Sequence, residues 1–463
     1  MGKHRKNPKG ESVVISIATV PEICITLKNM TMKTTTKILS ICFALMSCIA
    51  QAQYSPAPKQ SKSILIMNVV AHLGNGQVID NAAIGFKEGK IVLVADARTI
   101  RLAPDAYDEV IYASEQHLYP GFIAPAINLG LIEMEAVRAT SDFYEVGDYN
   151  PHIRSLIAFN TDSEILPTVR SNGVLLTQVT PRGGTISGTS SIVHLDAWNW
   201  EDAVVRTNDG IHVNWPYPYR RSSGGLEINK GYSEEVDGLG LYFEASRAYC
   251  SMPQQSEVDP RMEAMCPVIE GDATWYVHAE DERQITEAIN FKQKHKIPEM
   301  VIVGGYDAAW VAPLLKENNI PVMIPRVHSL PRFSGDEIDA PFTLAKRLHD
   351  AGVRFCFQNA GDMEAMNSRN LPFLAGTAVG YGLPYEAAVQ ALTLDAAKIL
   401  KIDANYGSIE LGKSATFFIS EGDALDMKTN YLVRAFIDGR DITIRNKQVD
   451  LYEKYQRKYG QIK

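Results

Sequence analysis

Residues 274–304 read TWYVHAEDERQITEAINFKQKHKIPEMVIVG. Thr274-Trp-Tyr-Val-His278 is a short apolar run, the spacing over Asp281–Lys296 is helical, and Met300-Val-Ile-Val-Gly304 is a second apolar run. The rhythm continues with a helix over Ala308–Asn318, a strand at Pro321–Ile324, a helix over Pro341–Ala351 and a strand at Val353–Phe357. Strands buried on both faces are short and apolar, and amphipathic helices separate them in parallel sheets. Eight such units close into a barrel. Four or five are clear here, so the expectation is an α/β fold, a (β/α)8 TIM-like barrel over residues 119–402.

The flanks read differently. Ser63–Val70 and the two runs around Glu88-Gly89 are strands, with Asn75-Gly76 as a tight turn between them. Gly407–Ile419 and Tyr431–Arg440 are short β runs with Gly turns. Residues 63–118 and 403–463 are therefore expected to build one small composite β-sandwich, after a polar linker at 53–62.

Leu118-Tyr-Pro-Gly-Phe-Ile, Gly173-Val-Leu-Leu-Thr-Gln-Val and the block Thr393-Leu-Asp-Ala-Ala-Lys-Ile-Leu-Lys-Ile, followed by Gly407-Ser-Ile-Glu-Leu-Gly-Lys-Ser-Ala, stand in one order along the chain. In that order they resemble amidohydrolases of the imidazolonepropionase-like group, over roughly residues 63–455. The resemblance implies a hydrolase with histidines and a carboxylate converging on a zinc ion at the barrel mouth, where the metal acidifies a bound water. The first barrel strand of that family resembles P-G-x-I-D-x-H-x-H-x-G. Here Pro120–Gly130 carries Ala124 at the aspartate position, and Ala126 and Asn128 at the two histidine positions. Gly304 stands where relatives carry another histidine. The matching positions that keep a donor are His278 and, with a small register shift, Asp362, with Asn128 as a weak third. One divalent zinc and no metal at all both stay open on this count.

Other candidates follow from position. His328 comes after a strand, so it falls on the active face and would join Asp362 as a catalytic group in a rearranged site. His152 is a weaker loop candidate; His194, His212 and His349 read as core or helix-surface residues. Glu133 and Glu135 are two apart on an expected helix and point apart. Thr180–Ser191 is Gly-rich and follows a strand, so Arg182, Gly183, Gly184 and Ser187 are candidates to bind a carboxylate or phosphate. Trp198 and Trp200 are read as packing residues.

The formal charge of −8 disfavours nucleic acid as a partner. Met32–Lys37 is basic, Ile38–Ala50 is apolar and Ala50-Gln51-Ala52 offers a small-residue cleavage site. This is the pattern of a secretory signal, too short for a membrane span. It predicts export to the periplasm or medium, with residues 1–31 as an upstream extension and Cys48 as a poorer lipoprotein anchor. A bridge between Cys250 and Cys266 is allowed by export but not decided by spacing.

Two functions compete. One is a degenerate amidohydrolase-like protein that binds a small molecule at the barrel mouth, alone, as a homo-oligomer or as inactive partner of an active homologue. The other is a metal-dependent hydrolase of C–N bonds in cyclic amides or small peptide-like substrates, with a relocated site.

Overall fold

The computed structural model describes residues 55–101, 103–222, 225–252 and 257–462. The expected signal segment, upstream extension and Cys48 lie outside the described residues. Among the described residues no helix is long and apolar enough to cross a membrane. Pro56–Lys463 clusters as one unit.

Two eight-stranded sheets organise that unit. The first holds β1 (Ile64–His72), β2 (Val78–Lys87), β3 (Lys90–Asp96), β4 (Glu109–Tyr112) and β5 (His117–Pro120) from the N-terminal flank. The second is the barrel sheet: β6 (Phe122–Ile127), β7 (Val174–Val179), β8 (Ile186–His194), β9 (Val204–Asn214), β12 (Thr274–Ala279), β13 (Met300–Gly304), β14 (Val322–Ile324) and β15 (Phe355–Phe357). A small hairpin, β10 (Tyr219–Ser222) and β11 (Gly225–Ile228), interrupts it. The C-terminal flank returns β16 (Phe417–Ser420), β17 (Leu432–Ile437) and β18 (Arg440–Ile442) to the first sheet.

The flanking strands are joined by hydrogen bonds into one sheet, in the order β18-β17-β16-β5-β1-β2-β3 with β4 on β1. Phe86 on β2 meets Phe436 on β17 at 4.9 Å between ring centroids, although three strands separate them in the ladder. The sheet therefore folds back over its own core of Phe86, Phe417, Phe436, Ile66 and Leu118. What the sequence leads one to expect as a sandwich is, in hydrogen bonding, a single folded sheet.

The barrel sheet runs β15-β14-β13-β12-β9-β8-β7-β6 and is nearly closed, with no ladder from β15 to β6 among the described residues. Seven strands are mutually parallel. β8 is antiparallel to both β7 and β9. The chain leaves β7 at the mouth, descends along β8 and climbs back along β9. This corrects the reading of Thr180–Ser191 as one loop: only the first half turns, and Ile186–His194 is a buried strand.

The helices form for local reasons. Asp281 caps Glu282–His295 in a capping box with Gln284, and Ile285, Ala288 and Ile289 face the core at helical spacing. Pro313 lies at the start of Ala312–Glu317, so that helix begins later than its apolar spacing suggests. Glu133 and Glu135 lie in an irregular segment, not the expected helix, and Glu133 accepts a hydrogen bond from Asn160. Trp200 packs on the barrel core, whereas Trp198 is exposed.

Cys250 and Cys266 form a disulfide between helices Tyr232–Cys250 and Pro260–Glu270. The closed loop spans 16 positions, so Cys250→Ser with Cys266→Ser is expected to lower unfolding free energy by about 3 kcal/mol. Urea unfolding of both forms without reductant checks this; equal midpoints would contradict it.

Candidate functional site

The C-terminal ends of the parallel strands define the mouth, where barrel enzymes place their sites. A cavity of about 520 Å³ opens there beside β6, β7 and β15. Asn128, Arg182, Asp362, Glu364, Phe143 and Tyr144 are among its walls.

The floor of this cavity is an ion pair. Arg182 Nη2 donates to both Glu364 oxygens at 2.9 and 3.0 Å, and Nε donates at 3.2 Å. Nη2 also donates to the Ala126 carbonyl at 2.7 Å. Glu364 accepts in addition from the backbone N–H groups of Asn128 at 3.0 Å and Gly361 at 2.9 Å. Ala126 has a left-handed backbone, φ 52°, which costs a non-glycine residue energy and turns its carbonyl toward the guanidinium. Two polar atoms are left over: Arg182 Nη1 and Asn128 Oδ1 are both buried without a partner. Buried polar atoms without partners are rare in native folds, and these two belong to residues that line the cavity.

His278 lies elsewhere in the mouth. Its Nε2 is 2.9 Å from His212 Nδ1. Burial lowers its pKa to about 3, with Arg182 acting in the same direction. His212 is pushed well below the ordinary value by burial, then by His278 and Arg182. Both imidazoles are therefore neutral. Below them His212 Nε2 meets Ser190 Oγ at 3.1 Å, and Ser190 donates to Asp209 at 2.8 Å.

Gly304 lies beside a second acid, the partly buried Glu280. A Cβ there would fall 2.5 Å from Glu280 Oε1, so the missing side chain makes room for that carboxyl. Burial raises Glu280 to about 7, opposed by the Tyr306 N–H at 3.1 Å and helped by Asp307 and Asp281.

The structure thus joins three sequence candidates, Asn128, Arg182 and Asp362, in one cavity. Asp362 is exposed on the rim, and Glu364, two residues on, is the buried carboxylate. His328 is exposed, does not line the cavity and bonds Thr377 Oγ1 at 2.6 Å. Gly183 and Gly184 have positive φ, and Asn214 Nδ2 holds the Gly184 carbonyl at 2.7 Å and Ser187 Oγ at 3.1 Å. Gly183, Gly184 and Ser187 shape the turn, and of these four residues Arg182 lines the cavity. His152 lines a separate cavity with Arg154, Thr189 and Asn208. Sequence reasoning missed Glu364, Glu280 and Asp209, and it set His212 aside as core.

The residues present do not fit a divalent metal. Ala126 and Gly304 carry no donor, Asn128 is a neutral amide, and Glu364 is spent on a guanidinium whose charge opposes a second cation. Among the described residues no group of three or more His, Cys, Asp or Glu side chains is placed to hold one.

The amidohydrolase family model matches residues 270–444, from β12 to β18. No curated protein matches the chain. Among solved structures, an amidohydrolase from Thermotoga maritima MSB8 is 22% identical, covers 82% of this chain and 100% of its own, and has a TM-score of 0.70. A Xaa-Pro dipeptidase with methionine in its active site is 14% identical, covers 82% and 99%, and has a TM-score of 0.51. Molinate hydrolase is 15% identical, covers 84% and 96%, and has a TM-score of 0.51. These likenesses show the fold; they lie too far in sequence to carry an activity.

Proposed function

We propose that this chain is an exported, amidohydrolase-like protein that binds a small polar molecule at the barrel mouth without a resident metal. One observation carries the reading: the Arg182–Glu364 pair fills the floor beside Ala126 and Asn128, and leaves Arg182 Nη1 and Asn128 Oδ1, buried atoms of two residues that line the cavity, without a partner. Nη1 needs an acceptor and Oδ1 needs a donor, and an amide group offers both. The Cys250–Cys266 bridge supports an oxidising compartment. Assembly with a homologue or a second copy belongs to the same proposal and rests on the altered site alone.

Calorimetric titration with N-acetylglycinamide is the test. Saturable binding is expected, and Asn128→Leu should weaken it about 3- to 10-fold, the worth of one neutral hydrogen bond. Binding that ignores both Asn128→Leu and Arg182→Met would overturn the reading.

The second reading, a hydrolase of C–N bonds with a rearranged metal site, draws on the family-model match and on the imidazole of His278 at the mouth. It requires a metal ligand set that includes His278, with Asp362 or His328 moved from their present places.

A further inference from the structure

A line of hydrogen bonds runs from the mouth into the barrel wall. It begins at His278 on β12, passes to His212 on β9 and Ser190 on β8, and ends at Asp209 on β9. The strand register places these groups in descending order: His278 pairs with Asn214 at the top of β9, and Gly210 pairs with Ser190 lower down.

The far end fixes which way the protons point. Asp209 is fully buried and accepts from Ser190 Oγ at 2.8 Å, Tyr276 Oη at 2.8 Å and Gln178 Nε2 at 2.7 Å. Gln178 cannot turn over, because its Oε1 accepts the Ala126 backbone N–H at 3.0 Å. Burial raises the Asp209 carboxyl above its ordinary value, and the hydrogen bonds from Ser190, Tyr276 and Gln178 oppose that rise; three donors converging on two oxygens are the geometry of a carboxylate. A hydroxyl has a single proton to give. Ser190 Oγ lies 2.8 Å from Asp209 and 3.2 Å from the Gly210 carbonyl; with its proton on either acceptor, Ser190 Oγ accepts from His212 Nε2–H. Neutral His212 then has a bare Nδ1, which must accept from His278 Nε2–H. The neutral His278 ring is left with a bare Nδ1. Among the described residues that atom has no hydrogen-bond partner, and His278 is partly exposed.

We infer that Asp209, through Ser190 and His212, fixes His278 in one tautomer and presents its Nδ1 at the barrel mouth as an acceptor for a neutral N–H or O–H donor of the bound molecule. Arg182 bears on His278 electrostatically, and its positive charge disfavours an ammonium donor there. The class of ligand is thus an uncharged amide or hydroxyl compound with an acceptor for Arg182. Asp209, Ser190 and His212 are positioning residues; His278 is the one that meets the ligand. This inference rests on the ligand-binding reading of the mouth, but its test does not need the ligand.

The test is nitrogen NMR of the ring nitrogens in the full chain labelled with 15N-histidine, ligand-free near pH 7, with His278 assigned by its loss in His278→Gln. The expected spectrum shows His278 with a protonated Nε2 and an unprotonated Nδ1, in one form. In Ser190→Ala the lock is broken, and both tautomers should appear in comparable amounts. A wild-type His278 carrying its proton on Nδ1 would mean that the line runs the other way, from a protonated Asp209, and overturns the inference. So would a His278 spectrum unchanged in Ser190→Ala. The wild-type measurement decides by itself if the variant does not fold. A correct tautomer together with absent N-acetylglycinamide binding would leave the tautomer lock standing and sink the ligand-binding reading.

Discussion

Arg182→Met is expected to lower the unfolding free energy by about 3 kcal/mol, the low end for breaking a buried ion pair. The Glu364 side chain is 5% exposed and the Arg182 side chain 21% exposed, so the acid left behind suffers most. It keeps the N–H groups of Asn128 and Gly361 but loses its countercharge. Adding Glu364→Gln should recover part of the loss, because an amide carries no charge and its single carbonyl oxygen still accepts one of those two bonds, which go to different carboxylate oxygens. Urea unfolding at pH 7 checks this, with the midpoint read at constant slope. If the double variant is no more stable than the single one, an unpaired carboxylate is not what the first change exposes.

Glu280→Gln is expected to stabilise the protein at pH 8 by about 3 kcal/mol, from about 1.4 kcal/mol for each pKa unit between the folded and unfolded chain. The sign follows from the direction of the shift. Burial raises the carboxyl from 4.5 to about 7 in the folded chain. Between those values the folded state binds more protons than the unfolded state. Stability is therefore full below about pH 4.5 and falls as pH rises through 7. Gln cannot ionise, and its carbonyl still accepts the Tyr306 N–H. The variant should lack that fall in stability, so wild type and variant should converge near pH 4, draw apart between about 4.5 and 7 and stay apart above 7. Parallel profiles across this range would contradict the assignment of Glu280.

Much of the barrel was legible because its C-terminal half follows local rules. Asp281 and Gln284 announce a helix start, and Met300–Gly304 is hydrocarbon throughout. β8 was not legible, for a physical reason. Ile186-Ser-Gly-Thr-Ser-Ser-Ile-Val-His buries hydroxyls, which are satisfied by neighbours such as Asp209 and the Pro151 carbonyl. Such a strand has a turn-like composition and no apolar signal. Asp209 was invisible for the matching reason: its partners come from three other strands.

That Ala126, Asn128 and Gly304 stand where the resemblance leads one to expect histidines could be read directly from the sequence, but what surrounds them could not. Arg182 belonged to the candidate set, yet its partner Glu364 lies 182 positions away and two residues past the aspartate that the resemblance pointed to. Glu280 filling the space above Gly304 is likewise a long-range fit that no spacing encodes. The Cys250–Cys266 bridge needed geometry that only the packing of two helices supplies.

The central claim is that a guanidinium–carboxylate pair has taken the floor of the mouth, so that no divalent ion is held there. Elemental analysis of the protein purified without chelators, before and after incubation with zinc and removal of the excess, tests it most directly. The account predicts far less than one zinc, manganese or iron per chain in both samples. One tightly retained equivalent, lost in His278→Ala, would contradict it.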